Sequence, residues 1–290
     1  MMAARGCDRS VAGRCNAASR KVQVRFAVGA VATAFALMTA FGTPARAQFG
    51  RGGPVAPPPT GRAGAPVDLT GTWVSVVTED WLARMPPPAK GDYTTVEQVM
   101  NPQARKVADS WQPSMEGRCE AYGVGGVMRM PGRLRISWQD DLTLKIETDG
   151  GQQTRLLRFN APGSNVSTAS TPGPRTLQGN SVAEWQRGGG QQDAFLGRGV
   201  GAGGTQRWGG LKVITNNVLP GWLRPNGVPY GENTTVTEYF TRFTHPVAGD
   251  WFTVTTVVED PQYLTAPFIT SSNFKKEPND SKFKAVPCKT

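Results

Sequence analysis

Histidine is nearly absent: His245 is the only one in 290 residues, and it stands before a proline in the turn-like segment FTHPVAGDW. Cysteine is scarce too, with Cys7, Cys15, Cys119 and Cys288 the only four and no CxxC pair among them. This inventory cannot assemble the usual zinc, copper or haem ligand sets, so no metal and no other cofactor is expected. A Ser-His-Asp arrangement would rest on His245 alone, and no GxSxG stands near it. Any enzyme built on this chain is left with Glu, Asp, Tyr, Arg or Lys. Long amphipathic helices are missing across the strand-rich region, and so is any apolar run of the roughly 20 residues that span a bilayer.

The longest apolar run, Phe26 to Phe41, has 16 residues. It follows a basic stretch carrying Arg5, Arg9, Arg14, Arg20, Lys21 and Arg25, and it precedes Ala45-Arg46-Ala47, small residues at the positions a signal peptidase reads. Residues 1–47 are therefore expected to be a signal peptide, cleaved before Gln48, and the mature chain is expected in the periplasm or secreted, with no membrane insertion after cleavage. The formal charge of +10 shrinks with the leader removed, because 25 basic residues then face 21 acidic ones. No clustered excess of base remains for a nucleic-acid partner. Cys7 and Cys15 leave with the signal, and the remaining Cys119 and Cys288 are expected to form a disulfide in an oxidising compartment, acting as a staple and not a redox site.

The mature chain reads as strand after strand. GTWVSVV at Gly71 to Val77 is followed, from Gly132 to Phe274, by RLRISWQDD, LTLKIETDGG, QQTRLLRFN, SVAEWQ, LKVITNNV, VTEYFTRF, DWFTVTTVVED and FITSSNF. Alternation is plain in the first of these: Leu134, Ile136 and Trp138 share one face, as do Leu142, Leu144 and Ile146. Asp140-Asp141 and Asp149-Gly150-Gly151 read as hairpin turns and not as paired catalytic carboxylates. The fold expected is all-β, an antiparallel meander closing into a barrel over residues 67–290. Gln48 to Pro66 reads as a Pro/Gly-rich flexible leader, and Arg187 to Gly210, with ten glycines plus Phe195, Leu196 and Trp208, as a flexible loop. One short helix is expected at about 102–111, capped by Asn101 and started by Pro102, with Val107 and Trp111 forming the face that plugs or flanks the sheet.

Candidate site residues come from charges placed mid-strand. Arg155 shares parity with Leu157 and Phe159, Glu238 and Arg242 with Val236 and Phe240, and Glu184 with Val182. If those apolar neighbours mark the interior, a Glu-Arg-Glu-Arg group points into the barrel, as a structural ion-pair network or a substrate-orienting one. Thr237, Tyr239, Thr241 and Phe243 make an acceptable inner face as well, which would put Glu238 and Arg242 outside. Trp73, Trp138, Trp185, Trp222 and Trp251 lie on or beside strands, where each fills a core or lines a cavity. Barrels of about eight strands hold one small molecule, and several tryptophans favour an apolar or aromatic one.

DLTGTWVSVVTEDW, RCEAYGVGGVMRMPGRLRISWQDD, TLQGNSVAEWQ, LKVITNNVLPGWLRPNGVPY, VTEYFTRF and VVEDPQYLTAPFITSSNFKKEP together resemble a family of uncharacterised secreted bacterial proteins, over most of Asp68 to Cys288. That resemblance implies export and carries no activity. Separately, Gly71-Thr72-Trp73 is similar to the Gly-x-Trp opening of lipocalins, which implies a lipocalin-like barrel whose floor is closed by the Trp.

Three functions follow as expectations. The first is an exported barrel binding a small apolar or aromatic molecule through Glu238, Arg242, Arg155, Glu184, Trp138, Trp185 and Tyr239. The second is a metal-independent isomerase, lyase or hydrolase using Glu, Arg or Tyr in the same barrel. The third is an envelope scaffold. A binder shows an apolar cavity, an enzyme shows convergent titratable groups in it, and a scaffold shows a filled core with an exposed patch.

Overall fold

The computed structural model describes residues 59–85, 88–164, 173–187 and 209–290. The expected signal peptide, most of the leader and the glycine-rich stretch 188–208, with Phe195, Leu196 and Trp208, lie outside these residues. In chain order the strands are β1 (Gly71–Val76), β2 (Arg133–Asp140), β3 (Thr143–Thr148), β4 (Gly150–Gly151), β5 (Thr154–Phe159), β6 (Asn180–Arg187) and β7 (Gly209–Asn216). They continue with β8 (Gly221–Arg224), β9 (Val228–Tyr230), β10 (Thr235–His245), β11 (Gly249–Glu259), β12 (Phe268–Glu277) and β13 (Val286–Pro287). Helices α1 (Trp81–Arg84) and α2 (Pro102–Asp109) and three 3-10 turns lie between β1 and β2.

Nine strands close into a barrel in the order β1-β12-β11-β10-β7-β6-β5-β3-β2. Barrel strands consecutive along the chain are also neighbours in space, and the ring is sealed where the first meets the last, Thr72 opposite Glu277. A ring with an odd number of strands cannot alternate direction all the way round. One neighbouring pair has to be parallel, and here it is β5 and β6, registered from Leu157–Ser181 to Phe159–Ala183. The expected antiparallel meander holds at every other neighbouring pair of the ring, and this one interface makes the barrel mixed.

The strands alternate as half-buried strands must. On β10, Val236, Glu238 and Phe240 point inward, and on β11 Phe252, Val254, Thr256 and Val258 do the same. One end of the barrel is packed with large rings: Trp73 meets Phe252 edge-on at 4.7 Å, and Phe252 stacks on Phe274 at 4.8 Å. This cluster, with Leu134, Ile136, Leu144, Ile146 and Leu157, fills the ring. The opposite end is covered by a second apolar cluster. Val236, Val258 and Phe268 from the barrel meet Tyr93, Val96, Ala108, Val124, Val218, Leu223 and Tyr230 from the long connections. Tyr230 is fitted so closely that a Cβ on Gly125 would lie 2.8 Å from its ring, so the backbone approach there requires glycine.

Helix α2 belongs to this cap. Asn101 Oδ1 accepts from Ala104 N at 2.8 Å, the N-cap bond its residue type implies, and Asn101 Nδ2 donates to Gln262 O at 2.8 Å. Its buried face is Ala104 and Ala108, with Trp111 buried just beyond its end. Val107 is only half-buried, which corrects the expected Val107/Trp111 face. The small alanines let the helix lie close to the cap while Trp111 presses on Gly227, whose φ of 85° allows the tight turn between β8 and β9. The cap is tied to the C-terminal tail by the Cys119–Cys288 disulfide and by the parallel pairing of β4 with β13.

Candidate functional site

The end of the barrel opposite this cap carries a cavity of about 360 Å³. It lies between the inner ends of β2, β3 and β6 and the segment 62–70 that crosses the opening. Trp138 on β2, Leu144 on β3 and Trp185 on β6 form its wall, and Val67 and Leu69 supply apolar surface from the crossing segment. Trp138 and Trp185 follow from period-2 alternation: Trp138 has the parity of buried Leu134 and Ile136 on β2, Trp185 that of buried Ser181 and Ala183 on β6, and both lie near the end of their strands. Phe159 completes an aromatic group, stacked on Trp185 at 5.3 Å and tilted to Trp138 at 5.7 Å. Trp185 is held in place by its Nε1, which donates to Gly61 O at 2.7 Å. The last residues of the leader are thus folded against the barrel, and Arg62 N donates to Asp141 O at 2.8 Å beside them.

Two charged residues, Arg62 and Asp68, line the cavity. Burial pushes the Asp68 carboxyl up, but this is outweighed by hydrogen bonds from Thr70 N and Oγ1, at 2.9 and 2.8 Å, and by attraction to Lys276 and Arg242. The net effect holds it below the usual carboxylate range, so it is ionised at neutral pH. The arrangement is an aromatic wall with one fixed negative group and one positive group at the rim. It can hold a flat apolar body and recognise a polar edge.

The seven candidate residues separate. Trp138 and Trp185 reach the cavity. Arg242 sits near that end in the inward register, bonded through Nη2 to Asp250 Oδ2 at 2.8 Å, and acts on the cavity through its attraction to Asp68. Glu238 and Arg155 do point inward, yet they meet each other and not Arg242: Arg155 Nη1 and Nη2 donate to Glu238 Oε1 and Oε2 at 2.9 and 2.5 Å, with both side chains fully buried. The pair sits at the boundary between the two apolar clusters, since Val236 belongs to one and Phe240 to the other. Neither side chain has solvent-exposed surface and neither lines this cavity, so in this conformation the pair is an internal bracket and not a contact for a ligand held there.

Two candidates are corrected. Glu184 faces outward, its side chain 63 % exposed and paired with Lys212 on the neighbouring strand at 3.3 Å. Ala183 and Trp185, not Val182, mark the interior of β6, because the strand is registered on Val213 and Leu211 at those positions. Tyr239 likewise lies on the outer face, between Lys212 and Thr255 in register, since its neighbours Glu238 and Phe240 occupy the inner one. Among the described residues no three His, Cys, Asp or Glu side chains gather as metal ligands would. Comparison with family models, curated proteins and solved structures finds no match.

The sequence reading missed Asp68, Arg62, Val67 and Leu69. The signal available was the run VDLTGTW, in which Asp68-Leu69-Thr70 forms a side-chain turn immediately before β1 and thereby projects over the barrel end.

Proposed function

We propose that this chain is an exported β-barrel that binds one small, largely apolar or aromatic molecule at the end crossed by residues 62–70. The observation that carries this reading is the cavity walled by Trp138, Leu144 and Trp185 in a barrel otherwise filled by its own side chains. Its volume is within the roughly 300–1,000 Å³ of small-molecule sites. Export is supported by the leader pattern of residues 1–47 and by a disulfide joining the two cysteines left after cleavage. The resemblance to secreted bacterial proteins is part of the same proposal. A binder is favoured over an enzyme because the fully buried Arg155–Glu238 pair does not line the cavity, whose charged lining is Arg62 and Asp68 at the rim.

The test is titration of the mature protein with anilinonaphthalene sulfonate and a panel of uncharged aromatic compounds, followed by ligand and tryptophan fluorescence. Trp138→Ala and Trp185→Ala are each expected to weaken binding about tenfold or more, which corresponds to about 1.4 kcal/mol. Trp251→Ala serves as the control, because Trp251 stacks on Phe243 on the outer side of the β10–β11 hairpin at 6.4 Å. Absence of saturable binding, or equal affinity in all three variants, refutes the assignment.

A further inference from the structure

The segment that crosses the mouth of the aromatic cavity is held differently at its two ends. Toward β1 the hold is buried and apolar: Leu69 is 2 % exposed, and its carbonyl accepts from Nε1 of the fully buried Trp73 at 2.9 Å. Toward the leader it is built on three hydrogen bonds. Thr60 Oγ1 donates to Asn160 O at 2.7 Å, Trp185 Nε1 donates to Gly61 O at 2.7 Å, and Arg62 N donates to Asp141 O at 2.8 Å. Water offers a replacement for each of these bonds when the segment lifts, so their net hold is modest. Between the two ends Gly64 N donates to Thr60 O and Ala65 N to Arg62 O, which folds the stretch into a turn of its own.

Gly61 seats the segment. Its φ is 54°, and a Cβ there would overlap Asp141 O and press on Leu142 Cδ2. Glycine alone lets the backbone come down onto the turn between β2 and β3 at this point. A side chain at position 61 therefore lifts the segment, although Gly61 is not itself part of the cavity lining.

This hold is joined to the cavity in two ways. Residues of the crossing segment, from Arg62 to Thr70, line one side, and Trp138, Leu144 and Trp185 line the other, so a molecule held there lies between segment and barrel. Trp185 also serves both at once, because its ring lines the cavity while the N–H of the same ring holds Gly61 O.

We infer that residues 59–66 are a strap that unlatches at Thr60, Gly61 and Arg62, swings on the Leu69 anchor, and so governs the entry and exit of ligand. The inference rests on the cavity being the binding site, as proposed above. Lifting the strap opens the aromatic wall from the side. Its return restores the three hydrogen bonds and lays Pro66 and Val67 over the bound molecule, and a site that must open before it binds associates slowly.

Gly61→Ala and Thr60→Val test the strap without changing a residue that lines the cavity. Stopped-flow mixing with anilinonaphthalene sulfonate reads association and dissociation separately. Both rates are expected to rise at least fivefold in Gly61→Ala, and by less in Thr60→Val, which loses one of the three bonds. Faster dissociation with association unchanged would make the segment a fixed wall and overturn the gate, as would unchanged rates in both variants. Trypsin cleavage of the Arg62–Ala63 bond, followed by mass spectrometry, asks without any ligand whether the segment lifts. Cleavage is expected to be at least fivefold faster in Gly61→Ala than in the unaltered protein, and slower in the unaltered protein once the dye is bound. Equal cleavage of the two proteins overturns the latch while leaving the cavity reading intact. Absence of saturable dye binding in all three proteins refutes the cavity reading, and the strap's role in exchange falls with it.

Discussion

At the scale of single residues, the Arg155–Glu238 bracket shows how a barrel tolerates ions in its interior. Both side chains are fully buried and bonded through two N–H···O contacts. The pair's net worth against an apolar replacement is small, but the loss of one partner strands the other. Glu238→Gln is therefore expected to destabilise the fold by about 3–5 kcal/mol in denaturant unfolding. Glu238→Leu with Arg155→Met is expected to recover most of that loss, and ligand affinity at the aromatic end is expected to stay within twofold. A change in affinity with unchanged stability would show that the pair faces a ligand after all. The members of this pair are legible in the chain, since Arg155 shares parity with Leu157 and Phe159 on its strand, and Glu238 and Arg242 share parity with Val236 and Phe240 on theirs. Which face these positions occupy is not, because VTEYFTRF carries good strand formers on both sides and only tertiary packing decides between them. Glu184 was misplaced for the same reason: Val182 is the more typical core residue, yet small Ala183 faces the crowded interior.

Elements of regular alternation were far more legible than the connections. All nine barrel strands correspond to segments read as strands from the sequence, with clean alternation in some and mid-strand charges breaking it in those of Arg155, Glu184 and Glu238, and the helix start at Asn101-Pro102 is visible in its capping chemistry. The cap was not visible, because residues 79–130 and 217–231 have no period and their apolar residues meet only after the chain has folded over the barrel end. Arg224 stands in that region as one arginine among Leu, Pro and Gly, and nothing local marks it as buried. Helix α2 has eight residues, too few to be stable alone, so its caps matter. Asn101→Ala removes both the Ala104 N–H acceptor and the donor to Gln262 O, and is expected to cost about 0.5–2 kcal/mol by chemical denaturation. Asn101→Asp keeps the capping acceptor but loses the donor, so it is expected to fall between the two. A null effect for Asn101→Ala would mean that the helix is held only by Ala104, Ala108 and Trp111.

For the whole molecule, stability is expected to be bounded by titration on both sides. Asp68, Glu147 and Asp250 have pKa values held below the ordinary range. Thr70, Lys276 and Arg242 overcome burial at Asp68; a hydrogen bond from Arg135 leads at Glu147, and one from Thr244 at Asp250. Their contribution is complete above the unfolded-chain value of about 4 and is lost as pH falls through the lower folded values. Tyr93, Tyr122 and Tyr230 are shifted upward, in each case chiefly by burial. Their contribution is complete below about pH 10 and is lost as pH rises further, because the unfolded chain ionises first. Melting temperature measured from pH 2 to 11 should therefore give a plateau that falls at both ends; a continued rise below pH 3 would contradict the carboxylate assignments. The disulfide adds a constraint of another kind. It closes a loop with a sequence separation of 169, and replacing both Cys119 and Cys288 by serine is expected to cost about 4–5 kcal/mol at most. Alkylation and intact mass without reduction should find neither cysteine modified.

Closure between the first and last barrel strands also sets an order of events in time. β1 can pair with β2 as soon as residues up to Ile136 are available, but its other edge waits for Asn273 to Glu277. At synthesis rates of roughly 5–20 residues per second, making the intervening chain takes about 7 to 28 seconds, during which that edge stays open. Throughout that interval, the growing sheet presents unpaired backbone groups that another chain can join. A version ending before β12 should therefore associate with copies of itself, and the 23 residues from Phe268 onward supply the strand that removes this edge.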